Sequence, residues 1–230
     1  NQLSENKCLV GIFEQLGKLP QLNILDIGEN QLRSVPENIG LLQSLQRLNL
    51  SANQIQFLPE TVLKLKNVRY LTLNANRFRE RTAKEIINLF TSIATFPNLN
   101  HLDIGGNRLA YFSQETIDEI LTQISHISTL QTLDINSMHI SVLPDTIKNV
   151  SQLRTLRLSY NKLTSLPKGL NKMQRLEEVY LNGNTLSNLS EQELEELFRG
   201  ISTLPSLNML DISENGFQEL CEHVCLCTNI

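Results

Sequence analysis

The amino-acid sequence predicts an α/β solenoid with a parallel β-sheet on the concave face and helices and turns on the convex face. Two observations predict it. The eleven-residue pattern LxxLxLxxNxL recurs along the 230 residues, beginning at positions 22, 45, 68, 99, 130, 153, 176 and 207. The segments between these copies have two lengths, which leave room for either a short turn or a full helix. We therefore expect one continuous solenoid over residues 1–230, with no internal domain boundary.

Each copy of the pattern is expected to form a strand. In LNILDIGENQL, beginning at Leu22, the leucines point into the core and the alternate residues point to the concave face. An asparagine at the ninth position can satisfy backbone groups where the chain leaves the sheet. Met138 interrupts this series, so we expect water or a local distortion to satisfy those groups in the fifth copy. The asparagines are Asn30, Asn53, Asn76, Asn107, Asn161, Asn184 and Asn215.

The spacings between copies indicate a duplication. They are 23, 23, 31, 31, 23, 23 and 31 residues, and each of the first four copies is followed by its equivalent 108 residues later. In the short repeats, Pro36, Pro59, Pro144 and Pro167 set the turn away from the strand. In the long repeats this segment becomes a helix.

Helix starts are marked by capping signals. Thr82 with Glu85 and Ser190 with Glu193 have the spacing of a capping box, and apolar residues at helical spacing follow each pair. Ser113 precedes a third such pattern. A fourth helix is expected over residues 9–16, where Leu9, Ile12, Phe13 and Leu16 have the same spacing.

These motifs resemble the leucine-rich repeat family over nearly the whole chain. The resemblance implies a leucine-rich repeat solenoid with the shape of a curved horseshoe. The 23-residue repeats look like those of intracellular scaffold proteins and of bacterial effectors delivered into host cells. The 31-residue repeats look like the ribonuclease-inhibitor type, which GTPase-activating and innate-immune receptor proteins share. The mixture, with many Asn, Ile and Lys residues, favours the resemblance to a bacterial effector.

Composition and charge narrow the class of partner. The formal net charge is −4 and the sequence pI is near 5.6, so we expect no nucleic-acid partner. No run of about 18 apolar residues predicts a membrane span, and no signal peptide is visible. Because both ends stop within a repeat, we expect a longer array. The location stays open between the cytoplasm and a secreted effector acting in host cytosol.

Three cysteines lie close together at the C-terminal end, around His223, in LCEHVCLCTNI. Alignment with residues 58–68 places Cys227 at a core position, which favours a plain buried apolar side chain. A disulfide or cysteine-rich cap involving Cys221 or Cys225 stays open. A zinc site needs four converging ligands and is not favoured, so we expect no metal.

The candidate binding site lies in the columns that equivalent residues form across the sheet. Acidic residues outnumber arginines there, and tyrosines and arginines, which most often anchor interfaces, are embedded among them. This mixture suits a protein partner. The predicted partner-binding residues are Arg154, Arg157, Tyr160, Tyr180, Glu177, Glu178, Tyr70, His101, Asp103 and Asp134.

The sequence favours a noncatalytic protein-binding module with no cofactor and no small-molecule substrate. Asp103 and Asp134 would lie near the carboxyl separation of retaining glycosidases, but we expect an open, wet face that excludes no water and raises neither pKa. Two alternatives stay open. The chain could be the recognition part of a larger ubiquitin ligase or kinase, or a GTPase-activating repeat protein.

Overall fold

The computed structural model describes residues 2–218, with the side chains of residues 8–218 except those of Ala110 and Lys168. The predictions for Cys221, Cys225 and Cys227 fall outside the described residues. Cys8, in the first helix, is an exposed free cysteine.

Eight three-residue strands form one parallel sheet whose strand order follows the chain. In each strand the central side chain points into the core and the flanking two point to the opposite face, called the concave face below. The predicted strand positions are therefore confirmed. The strands are β1 Ile24–Asp26, β2 Arg47–Asn49, β3 Tyr70–Thr72, β4 His101–Asp103, β5 Thr132–Asp134, β6 Thr155–Arg157, β7 Glu178–Tyr180 and β8 Met209–Asp211.

The convex segments follow the two predicted repeat lengths. After Pro36, Pro59, Pro144 and Pro167 the short repeats form 3-10 helices, Glu37–Leu41, Glu60–Lys64, Asp145–Asn149 and Lys168–Lys172. The long repeats and the N-terminal segment form α-helices. These are α1 Gln2–Leu16, α2 Ala83–Ile93, α3 Gln114–Ser125 and α4 Glu191–Ser202.

The capping signals form the expected contacts. The amide of Glu85 donates to Thr82 Oγ1 at 3.3 Å, and the amide of Glu193 donates to Ser190 Oγ at 3.3 Å. Each glutamate in turn accepts a bond from the amide of its capping residue, which completes the box. Ser113 caps α3 with its hydroxyl alone.

One continuous hydrophobic core runs from Phe13 to Leu207. Each repeat contributes its pattern leucines, so every copy packs only on its neighbours. In α1 the apolar pattern is only partly used: Phe13 is 1% exposed, whereas Ile12 is 48% exposed. No helix described between residues 2 and 218 is long and apolar enough to cross a membrane.

The asparagine series forms a buried ladder that ties adjacent repeats together. Asn161 Nδ2 donates to the carbonyls of Ile135 and Leu158, both at 2.9 Å. Its Oδ1 accepts from the amides of Met138 at 3.1 Å and Ile140 at 3.0 Å. Because these groups come from two successive turns, each asparagine joins one repeat to the previous one.

Met138 is fully buried in the ladder position of the fifth copy. The expectation that water or a distortion must satisfy the freed carbonyls is wrong for the three carbonyls that an asparagine would contact there. Neighbouring repeats already supply their donors, because each carbonyl lies within reach of a second repeat. The bonds are Asn107 Nδ2 to Ile104 O at 2.8 Å, Asn161 Nδ2 to Ile135 O at 2.9 Å and Gly106 N to Asn136 O at 2.8 Å.

Candidate functional site on the concave face

The sheet register brings the predicted site residues into two columns on the concave face. Tyr70 pairs with His101, and Asp103 pairs with Asp134, which in turn pairs with Arg157. The predicted columns follow from the equal strand positions in each repeat. The first column contains Ile24, Arg47, Tyr70, His101, Thr132, Thr155, Glu178 and Met209, and the second contains Asp26, Asn49, Thr72, Asp103, Asp134, Arg157, Tyr180 and Asp211.

Tyr70 forms the centre of a stacked group in the first column. The guanidinium of Arg47 lies 4.5 Å from the centroid of its ring, and the ring of His101 lies 5.8 Å away on the other neighbouring strand. Tyr70 keeps 38% of its surface exposed. A partner can therefore cover a preordered ring that already carries a cation on one side.

Arg47 is the residue of this group that sequence reasoning left out of the site. Its position in the column was visible, because equivalent residues of 23-residue repeats must be neighbours. Its contact with Tyr70 was not, since the stacking depends on the side-chain conformations of both residues. Its guanidinium also helps lower the pKa of His101, after the larger effect of burial and the effect of Arg157.

Asp103 and Asp134 lie side by side on β4 and β5, and both are partly buried. Each carboxylate accepts a bond from the backbone two residues on: Asp103 Oδ1 from the amide of Gly105 and Asp134 Oδ1 from that of Asn136, both at 3.0 Å. These bonds close the turn after each strand, so both aspartates have a structural role.

The electrostatics of this pair differ from the sequence expectation. Burial, with the adjacent Asp134 charge as the second cause, raises the pKa of Asp103 to about 7. Burial also raises the pKa of Asp134. The expectation that this face leaves both pKa values unperturbed is therefore wrong. Arg157 opposes both shifts, because its positive charge favours the ionised carboxylates.

A second group of predicted residues lies on β6, β7 and the turns that follow them. The guanidinium of Arg157 lies 5.2 Å from the centroid of the Tyr180 ring, so it joins this group to the aspartates. Arg154 and Glu177 form an ion pair between neighbouring repeats. Glu178 accepts a bond from the Tyr180 hydroxyl at 3.4 Å.

Tyr160 stands at the edge of the second group, with 50% of its surface exposed. Its backbone φ is 56°, in the left-handed region, and its hydroxyl donates to Glu214 at 3.5 Å. The ring lies over Gly183, where an added Cβ would come within 2.4 Å of a ring atom. The absence of a side chain at Gly183 therefore lets the ring lie flat across the next repeat.

The arrangement resembles an interaction surface more than a reaction centre. Among the side chains described in residues 8–218, no group of three or more histidine, cysteine and acidic residues could hold a metal ion. The ten predicted residues lie in two neighbouring groups that Arg157 connects. Together they form a sheet surface of exposed aromatic rings, guanidinium groups and carboxylates, which can pair with polar and aromatic groups of another protein.

Comparison with known families agrees with this geometry. A family model described as "Leucine rich repeat" matches residues 20–78, 128–186 and 151–217. Because these matches cover more than half of the sequence, the chain belongs to the leucine-rich repeat family. The leucine-rich repeat fold is generally a protein–protein interaction module. The assignment of the copies to two repeat types remains a prediction.

Among solved structures, a leucine-rich repeat protein of Leptospira interrogans is similar, with 25% sequence identity and a TM-score of 0.60 over 92% of this chain. This chain spans 65% of that protein. No functionally curated protein matches the sequence. Since 462 solved chains match, the fold by itself does not select one function.

Proposed function

We propose that this chain is a noncatalytic module that binds a folded protein partner on its concave face. One observation carries the proposal: two arginine–tyrosine stacks, Arg47 on Tyr70 and Arg157 on Tyr180, flank the aspartate pair. Stacking against neighbours fixes these large side chains before a partner arrives, which lowers the entropy cost of binding. Tyrosine and arginine are also the residues that most often dominate interface energies.

The partner that suits this surface carries both basic and acidic groups. Its basic side chains would lie near Asp103, Asp134 and Glu178, and its acidic or aromatic groups near the arginines. An effector acting on a host protein is the specific role that the sequence resemblance favours. The similarity to a protein of Leptospira interrogans supports a search for the partner in animal-cell cytosol.

The test is an affinity capture from animal-cell cytosol with identification by mass spectrometry. Wild type is compared with a variant that changes Arg154, Arg157, Tyr160 and Tyr180 to alanine. Alanine should be tolerated at residue 160, because Ala52 and Ala75 already adopt the same left-handed conformation in other repeats. Circular dichroism checks that the fold is intact.

The matched control is an exposed arginine–tyrosine stack away from the sheet. The guanidinium of Arg79 lies 5.1 Å from the centroid of the Tyr111 ring, and Tyr111 is 70% exposed. We expect a partner that wild type and the Arg79→Ala/Tyr111→Ala variant retain and the concave variant loses. Retention by the concave variant would exclude the concave face as the site.

A further inference from the structure

The internal duplication places two equivalent grooves on the convex side. The first lies between the 3-10 helix Glu60–Lys64 and α2, and the second between Lys168–Lys172 and α4. Most residues that line the second groove stand 108 positions after residues that line the first. The volumes differ, however: about 240 Å³ for the first groove and about 460 Å³ for the second.

Both grooves have the same apolar floor. Leu58 and Pro59 in the first correspond to Leu166 and Pro167 in the second, and Leu89 corresponds to Leu197. Leu197 is 6% exposed, so α4 is held against the core and is not displaced. The larger volume therefore does not come from a different floor.

The walls account for the difference in volume. Phe57 and Leu63 of the first groove are replaced by Ser165 and Asn171 in the second, so two large apolar side chains are missing. Ser92 is replaced by Gly200, and a Cβ added at Gly200 would meet nothing within 4 Å. The second groove therefore has unfilled space above an apolar floor.

The rims differ in charge in the same direction. In the first groove, Arg81 lies 5.2 Å from the centroid of the Phe57 ring and pairs with Glu85. At the equivalent of Arg81 the second copy has Leu189, so Glu193 receives no arginine there. Glu193 accepts bonds from Ser190, which lower its pKa and keep it ionised.

One further charge distinguishes the second rim. Glu196, which is exposed, replaces Asn88 of the first groove. Arg199 also lines the second groove, but its guanidinium pairs with Glu195 one turn back on α4. The second groove thus lacks both the aromatic ring and the arginine that the first copy supplies from its own chain, while it keeps the carboxylate.

We propose that the second groove binds an aromatic side chain of a protein partner, followed in the partner's sequence by an arginine that pairs with Glu193 and Glu196. The partner would supply in trans the ring and the cation that Phe57 and Arg81 supply in the first copy. The apolar floor favours burial of the ring, and the rim carboxylates favour the guanidinium. This site is separate from the concave face.

The test uses three capped dipeptides as probes of the intact chain. Amide chemical shifts are followed by NMR during titration with Ac-Phe-Arg-NH₂, Ac-Ala-Arg-NH₂ and Ac-Phe-Glu-NH₂. We expect saturable shifts at Leu170, Leu197 and Gly200 with the first probe. Ac-Ala-Arg-NH₂ should bind at least about tenfold more weakly, because it buries no ring. Ac-Phe-Glu-NH₂ should also bind more weakly, because its charge is repelled.

The matched variant transfers the first groove's own residues into the second. Ser165→Phe/Leu189→Arg should lower the affinity for Ac-Phe-Arg-NH₂ at least about tenfold, because the chain then fills its own groove. Ser165→Phe alone is the second variant, since Leu189 packs partly against the core. Glu196→Gln should lower the affinity about threefold, as expected for an exposed charge pair.

The concave variant used above should bind Ac-Phe-Arg-NH₂ with unchanged affinity, so the two proposals can fail separately. Absence of shifts at the groove with Ac-Phe-Arg-NH₂ would overturn the inference. So would equal binding of Ac-Ala-Arg-NH₂, because the ring would then contribute nothing. Unchanged affinity in Ser165→Phe, with the variant folded, would place the probe elsewhere and overturn it as well.

Discussion

Asp103 and Asp134 are paired in register on adjacent parallel strands, and this pairing adds to burial in raising the pKa of Asp103 to about 7. Two carboxylates on the floor of the same sheet thus cannot both ionise without cost. Arg157, paired in register with Asp134, offsets part of this cost. The most polar part of the concave face is therefore a site where stability is given up.

The stability of this pair should depend on pH. The pKa of Asp103 is higher in the folded state than its ordinary value of 3.8, so the folded state binds the proton more tightly. Wild-type stability from this group should therefore be full below about pH 4 and fall as the pH rises to about 7. Asp103→Asn should remove the effect. Relative to wild type, its free energy of unfolding should gain roughly 2 to 4 kcal/mol between pH 3.5 and pH 8.

Urea denaturation at several pH values measures this gain, and the chain supplies two controls. Asn49 occupies the same position and accepts the amide of Ser51 at 3.0 Å, so asparagine can close this turn. Asp26 is exposed, and the bond from Gly28 lowers its pKa. Asp26→Asn should therefore show the opposite sign, losing stability relative to wild type as the pH rises. A pH-independent difference for Asp103→Asn would contradict the prediction.

The ladder should be most sensitive where one asparagine serves two repeats. Asn161→Ala removes an acceptor from two buried amides, those of Met138 and Ile140. We expect a loss of roughly 3 kcal/mol in the free energy of unfolding, because both amides become unsatisfied. Asn30 is exposed and donates only to carbonyls of its own turn, so Asn30→Ala should cost less than about 1 kcal/mol. Equal losses in chemical denaturation would argue against the ladder as the link between repeats.

Gly183 controls the position of the Tyr160 ring. Gly183→Ala places a Cβ within 2.4 Å of a ring atom and puts alanine at a φ of 68°. We expect a loss of about 1 to 2 kcal/mol in thermal unfolding and weaker capture of the concave-face partner, because the ring must move. Gly11→Ala, inside α1 with open space at its Cβ, should instead stabilise the chain by up to about 1 kcal/mol. Retained stability and capture in Gly183→Ala would show that the ring has another place to lie.

The cap of α4 can be tested with a residue that the duplication itself supplies. Ser190→Ala removes the hydroxyl that accepts the Glu193 amide and should cost about 1 kcal/mol in thermal unfolding. Ser190→Thr should be nearly neutral, since Thr82 forms the same capping box 108 residues earlier. A threonine variant as unstable as the alanine variant would mean that the serine acts through something other than its hydroxyl.

The family, the strand positions, the helix caps and the concave columns could all be predicted from the sequence. They depend on periods of two and about 3.6 residues and on contacts between residues that are close along the chain. The capping boxes at Thr82 and Ser190 involve residues three apart, so their side chains can be paired by inspection. The equal spacing of the copies also fixed which residues are neighbours across the sheet.

Tertiary structure alone decided how much water each of these residues meets and which neighbours it touches. The raised pKa of Asp103, the stacking of Arg47 on Tyr70 and the donors that replace the missing asparagine at Met138 all join residues at least 23 positions apart or depend on burial. The unequal grooves likewise depend on how two convex segments pack. A repeat pattern records which positions face inward, but the space and the electric field at each position are set by the packed neighbours.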